Sequence, residues 1–260
     1  MKSVRTMLKA VFLGLGAFLV WFLLPNLLAL TAVLIFPEKQ AAILEFAGFF
    51  GTALSTLAVM GLFALCKRPF RETVRWYPRR STPAAHLGAV AFGVCANTAV
   101  STLLALLPLP ESLLKDYAQQ SQSIYEPSHA LLSLFAAVIL APVFEEILFR
   151  GYVYRFLREG LPFWAAAGGA AALFGLAHGQ LLWICYAAVL GFLFCAVTER
   201  SGTLTLSVAA HLGFNLTAVP ELLWPDREVS PLVLAACGIA GAVLAVILWK
   251  TVLFRKGRAA

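Results

Sequence analysis

Leu131–Phe149 reads LLSLFAAVILAPVFEEILF, and Arg150 follows it. Two adjacent carboxylates, Glu145 and Glu146, stand inside an apolar run long enough to enter a bilayer. A charge at the bilayer centre costs roughly 2.5–3.5 kcal/mol even on the lenient insertion scale, so intramembrane acids mark a function by default. Helical geometry separates the two. Glu146 and Arg150 are spaced i, i+4 and share a face, so they can pair. Glu145 points about 100° away around the helix and has no partner in its own segment. Its partner must come from another element, and desolvation pushes such a carboxyl towards the range of a general base.

The rest of the chain has the same apolar character. Of 260 residues, 61% are hydrophobic and 13% are charged, which places the chain among polytopic helical membrane proteins, all-α, in one integral membrane domain over 1–260. Eight spans are expected at about 10–36, 41–65, 84–107, 130–150, 161–178, 180–198, 203–219 and 231–254. The basic start followed by a long apolar run reads as a retained first transmembrane helix rather than a signal peptide. Basic loops alternate with acidic or neutral ones. Lys2, Arg5 and Lys9 precede the first span; Lys67, Arg68, Arg71, Arg75, Arg79 and Arg80 separate the second and third; Arg155 and Arg158 follow the fourth, Arg200 the sixth, and Lys250, Arg255, Lys256 and Arg258 close the chain. This pattern predicts cytoplasmic N- and C-termini. The net charge of +7 belongs to these flanks, and no nucleic-acid partner is expected. The segment PLPESLLKDYAQQSQSIYEPS is the longest loop of the other side, either a surface amphipathic helix or a plain loop. The five cysteines (66, 95, 185, 195 and 237) include no CxxC and read as small packing residues. The small-residue run over 165–172, with Gly175 and Gly179, suits close helix approach.

Three expected spans carry strongly polar groups. Besides Glu145, Glu146 and Arg150, the fifth ends in FGLAHG with Phe174 and His178 on one face, and the seventh, LTLSVAAHLGFN, holds His211 and Asn215 at i and i+4. His86 and His129 fall at span starts and receive no role. Facing inward, Glu145, His178, His211 and Asn215 could activate water and stabilise an oxyanion. Such a set also suits a structural network or a proton-coupled transporter. Other hydrolase types lack their residues: there is no HExxH, both aspartates (Asp116 and Asp226) lie in loops, and Ser207, although on the face of His211, has no Gly-x-Ser-Gly setting.

These motifs carry a family resemblance over roughly residues 130–220. EEILFR resembles the EExxxR motif of the CPBP family, FGLAH is similar to its FxxxH motif, and HLGFN to its HxxxN motif, in the family's order and in separate spans. That family contains the type II CAAX prenyl endopeptidases and bacterial bacteriocin-processing or immunity-type relatives, also called Abi proteins. The resemblance implies an eight-helix intramembrane endopeptidase acting on a membrane-associated peptide or protein. Glu145 would be the general base with His178, His211 and Asn215 would stabilise the oxyanion, and Glu146, Arg150 and Phe174 would support them. It leaves open a divalent metal such as zinc, whose ligands would be Glu145, His178 and His211. It also leaves open a non-proteolytic immunity or interaction role. Short loops suit a bacterial member, resident in the inner membrane.

Overall fold

The computed structural model describes residues 3–78, 81–124, 130–223 and 229–253. All regular structure among the described residues is helical: α1 (Val4–Ile35), α2 (Gln40–Leu65), α3 (Phe70–Thr73), α4 (Pro83–Leu106), α5 (Glu111–Ile124), α6 (Ala130–Phe135), α7 (Ala141–Glu146), α8 (Arg155–Gly160), α9 (Phe163–Leu176), α10 (Leu181–Ser201), α11 (Thr205–Leu216), α12 (Ala218–Leu223) and α13 (Pro231–Leu248). Two π-helical stretches, Ala136–Leu140 and Ile147–Tyr154, join α6, α7 and α8 into one long run. Local chemistry sets many of the starts. Ser3, Thr82, Gln180 and Ser230 accept a backbone N–H of the first turn, and Pro83 and Pro231 occupy first-turn positions where the missing N–H costs nothing.

Among the described residues six helices are long and apolar enough to cross a membrane. The eight expected apolar segments are all helical, but α9 and α11 have 14 and 12 residues. At about 1.5 Å per residue they reach about 21 and 18 Å, short of the roughly 30 Å hydrocarbon core. The expected count of about eight is thus approximate: among the described residues six helices are of spanning length, and two shorter ones, α9 and α11, make up the eight. The expected surface segment of the third connection is helical over Glu111–Ile124 and amphipathic. His129 lies outside the described residues.

The basic ends gather on one face. Arg68 pairs with Glu159, Leu204 N–H donates to the Arg75 carbonyl, Tyr77 N–H donates to Thr203 Oγ1, and His86 Nε2 meets Thr205 Oγ1 at 3.0 Å. Gly160 lies against Thr6, Met7 and Ala10, so the start of α1 joins this face. Arg158 and Tyr154 both donate to Glu199 there. The membrane half next to this face is tightly packed. Leu148, Phe149, Tyr152, Val153, Tyr154 and Phe156 are 0–1% exposed and pack with Val59, Phe63, Val74 and Leu204.

Small residues set two close helix contacts. A Cβ on Gly93 would fall on the Ala210 carbonyl and one on Gly213 on the Val90 carbonyl, so α4 and α11 touch backbone to backbone. The expected small-residue face of α9 is borne out at Gly175, where a Cβ would meet Ile184 O of α10 at 2.6 Å. All five cysteines are free, with Cys195 in the core.

Candidate active site

Glu146 and Arg150 are 0% and 1% exposed, and Arg150 Nη1 donates to Glu146 Oε1 at 2.8 Å. That i, i+4 pair is the one the spacing predicts. Glu146 Oε1 also accepts from His211 Nδ1 at 2.9 Å, which ties α11 to α7. The Arg150 guanidinium lies 4.2 Å from the Phe174 ring centroid and 5.2 Å from that of Phe194, so two aromatic faces cover part of its charge. Phe174 is also edge-on to both His178 and His211, at 4.8 and 5.8 Å between centroids. The phenylalanine of FGLAH is thus the packing centre on which the cation and both imidazoles rest.

Glu145 takes its partner from another helix, as expected: its Oε2 lies 3.8 Å from His211 Nε2. His178 Nδ1 lies 2.8 Å from the Phe174 carbonyl, which can only accept. Nδ1 therefore carries hydrogen, and Nε2 is the ring atom left for the cavity. Glu145, His178, His211 and Asn215 all line one cavity of about 1220 Å³.

Counting from the expected span edges leaves His178 far from Glu145, unless α9 starts near Gly168 or tilts strongly. The helices converge in a different way. The Glu145 helix runs on past Arg150 to Gly160, so Glu145 lies 15 residues, roughly 20 Å, from the basic end. Helix α9 starts at Phe163 and ends after about 21 Å, which brings His178 to the same level. It ends there because Gly179 adopts φ +73 and Gln180 caps α10. The start of α11 is itself sunk below the basic face. A Cβ on Gly151 would meet Val74 and Leu204, so Leu204 lies level with Gly151, and His211 reaches Glu146 within two turns.

Asn215 Nδ2 donates to Ala137 O at 2.8 Å, and the sequence explains why that carbonyl is available. In the π-helical stretch Ala141 N–H donates to Ala136 O. The next donor in that register would be residue 142, which is Pro142 and has no N–H. Ala137 O is left without a backbone partner, and Asn215 supplies one. Pro142 and Ala137 thus belong to the site's framework, and Pro142, three residues before Glu145, is the one mark of them in the sequence. Ser207, the other polar residue on the face of His211, donates to Leu204 O and accepts from Thr198.

Among the described residues no group of three or more His, Cys, Asp or Glu is arranged to hold a metal ion. Glu145 and His211 approach each other, but His178 does not complete a cage with them. As placed, the donor set does not fit zinc.

In sequence, the chain is 28% identical over 112 residues to a Bacillus subtilis (strain 168) protein named "Putative membrane peptidase YdiL". That match covers 43% of this chain and 46% of the relative, so less than half the relative's length is matched. It is 27% identical over 160 residues to the UPF0177 protein YbdI of Lactococcus lactis subsp. lactis (strain IL1403), covering 60% of this chain and 81% of that one. No solved structure matches. Residues 127–217, the stretch that supplies every side chain of the site, match the model of the type II CAAX prenyl endopeptidase Rce1-like family, which bears out the resemblance carried by EEILFR, FGLAH and HLGFN.

Proposed function

We propose that the chain is an intramembrane endopeptidase that hydrolyses a peptide bond of a membrane-associated polypeptide, with Glu145 as general base. The observation that carries this reading is the convergence of Glu145, His178 and His211 on one cavity inside an apolar bundle, with Glu145 and His211 3.8 Å apart. That gap is too wide for a direct hydrogen bond, so Glu145 stays available to a water and His211 Nε2 to the oxyanion.

In the proposed reaction a water held by Glu145 and His178 attacks the scissile carbonyl carbon. Its proton passes to Glu145, and the carbonyl π electrons move onto oxygen. The resulting oxyanion meets His211 Nε2, which donates when the ring is an imidazolium, and the second N–H of the Asn215 amide, since the first is held by Ala137 O. Glu145 then returns the proton to the departing amine, and the C–N bond breaks. Glu146 and Arg150 act as positioning residues: they fix His211 by its Nδ1 and hold the helix face that presents Glu145. No step is routed through a metal.

The bacterial relatives favour placement in a bacterial membrane, and the basic face favours cytoplasmic termini. The test is cleavage of lipid-anchored fluorogenic reporter peptides by purified protein. Turnover lost in Glu145→Gln, with melting unchanged, supports the reading. No wild-type cleavage, with a cellular phenotype that survives Glu145→Gln, would replace it with a non-proteolytic interaction role.

A further inference from the structure

The basic face carries a second cavity, apart from the candidate active site. It holds about 340 Å³ between the end of α2, α3 and α8, and its walls include Lys67, Arg68, Arg155 and Phe156. The positive-inside rule accounts for cations on exposed loops, where water solvates them. It does not account for Arg155. That side chain is half-buried, and its Nε is shut off from solvent with no hydrogen-bond partner among the described residues. The charge that acts on it most strongly is another cation, Arg75. Glu199 and Glu159 also act on it, but each already holds another arginine: Glu199 accepts from Arg158 and Tyr154, and Glu159 from Arg68. A half-buried guanidinium beside a like charge is unfavourable unless an anion joins it.

We infer that this cavity binds a phosphate-bearing anion, held by Arg155 from within and by Lys67 from the rim. A guanidinium presents a planar fork that matches two phosphate oxygens, and an ammonium adds a point charge. The backbone is bent at the same place. Among the described residues, the non-glycine residues with positive φ are Lys67 and Arg75, both at 57° and both in the connection after α2. Lys67 follows the cap of α2, where glycine commonly takes the left-handed turn. Backbone held in this region is a feature of ligand clamps. The carboxylates of the wall do not close the cavity to an anion. Glu159 is neutralised by Arg68, whose guanidinium also lies 5.1 Å from the Phe156 ring centroid, and Glu72 stands exposed on the rim, where water screens it. At about 340 Å³ the cavity is at the small end of ligand pockets, with room for a headgroup. Its mouth adjoins the last turn of α2, where Leu62 and Leu65 are exposed, as a neighbouring acyl chain requires. Basic pockets between helices on the cytoplasmic side hold anionic lipid headgroups, so the setting favours an anionic phospholipid over free phosphate as the source.

The experiment uses the full chain purified in a neutral detergent. Binding of dioctanoyl phosphatidylglycerol is measured by native mass spectrometry and by the rise in melting temperature, beside dioctanoyl phosphatidylcholine, glycerol 3-phosphate and inorganic phosphate. Each measurement is repeated with Arg155→Gln, Lys67→Gln and Arg71→Gln. Arg71 is an exposed cation of the same connection that does not line the cavity, so its variant removes the same charge from the same face. The expected result is phosphatidylglycerol affinity weakened about tenfold or more in Arg155→Gln, about threefold or more in Lys67→Gln, and by less than about twofold in Arg71→Gln. Should Arg155→Gln fold poorly, Lys67→Gln, at an exposed position, carries the comparison with Arg71→Gln. Equal weakening in the cavity variants and in Arg71→Gln assigns the binding to general surface charge and overturns the site, as does lipid binding that no variant changes. Phosphatidylcholine bound as tightly as phosphatidylglycerol would also overturn it. Phosphatidylglycerol bound while the two soluble phosphates are not supports the cavity with a lipid as its ligand. Soluble phosphate bound as tightly as the lipid, with the same loss in Arg155→Gln, supports the cavity with free phosphate as its ligand.

Discussion

The two adjacent acids should fail in different ways when each is made an amide. Glu146 is fully buried; its Oε1 accepts from Arg150 Nη1 at 2.8 Å and from His211 Nδ1 at 2.9 Å. Glu146→Gln leaves the buried guanidinium without its counter-charge and forces an amide N–H or a weaker acceptor on His211. Removing one partner of a buried ion pair costs about 3–5 kcal/mol, and Gln, which keeps the shape and one acceptor, should fall at the lower end. At about 2–4 °C per kcal/mol for chains of this size, the melting point should fall by roughly 6–12 °C. Glu145→Gln should behave otherwise. Its side chain is 16% exposed, lies in the cavity, and stands 3.8 Å from its nearest ionisable partner, so melting should change by less than about 2 °C. Turnover should vanish in both variants, but only Glu145→Gln should vanish as a folded enzyme. Thermal unfolding in detergent beside reporter cleavage separates the two effects. Equal melting points for the two variants, or turnover retained in Glu145→Gln, would refute the assignment.

Asn215→Ala should cost about 1–3 kcal/mol because it orphans the Ala137 carbonyl. Pro142→Ala restores a backbone N–H that can reach that carbonyl in the π register, so the cost should shrink by about 1 kcal/mol or more in the Pro142→Ala background; strict additivity in a double-mutant cycle would discount the link. Asn215→Asp should be worse than Asn215→Ala in both melting and turnover, since a carboxylate there faces the carbonyl and the oxyanion. Gly213→Ala should lower melting and turnover together, because its methyl lands on the Val90 carbonyl and shifts the helix that carries His211 and Asn215. Gly168→Ala, which meets nothing within 4 Å, is the control and should melt within about 1–2 °C of wild type. Phe174→Leu should cost about 2 kcal/mol or more in melting free energy by removing the ring beneath Arg150, and an unchanged melting point would show that the ring is only filler.

The chemistry of this site is legible in sequence to an unusual depth because charge in an apolar helix is so strongly disfavoured. Glu146 with Arg150, the separate partner of Glu145, and the shared face of Phe174 and His178 all follow from residue type and helical spacing, and the structure shows each contact. What hydropathy could not show was depth. An apolar run does not reveal that α9 stops after 14 residues, that the Glu145 helix continues ten residues past Arg150, or that α11 starts level with Gly151. Those facts depend on turn chemistry at Gly179 and on tertiary contacts at Gly151. The role of Pro142 was also hidden, because its effect appears only once the π register and the Asn215 bond are seen together. The glycines of the α4–α11 contact, Gly93 and Gly213, are isolated in sequence and look unremarkable beside the run over 165–172.

The central claim is that Glu145 activates water for peptide-bond hydrolysis. Its most direct test is mass spectrometry of peptide termini in membranes incubated with purified wild-type protein or with Glu145→Gln, in water enriched in ¹⁸O. New C-termini carrying ¹⁸O are expected with the wild type and none with Glu145→Gln, although the two proteins melt alike. The same labelled termini in both samples, or none with folded wild-type protein across the membrane proteome, would contradict it.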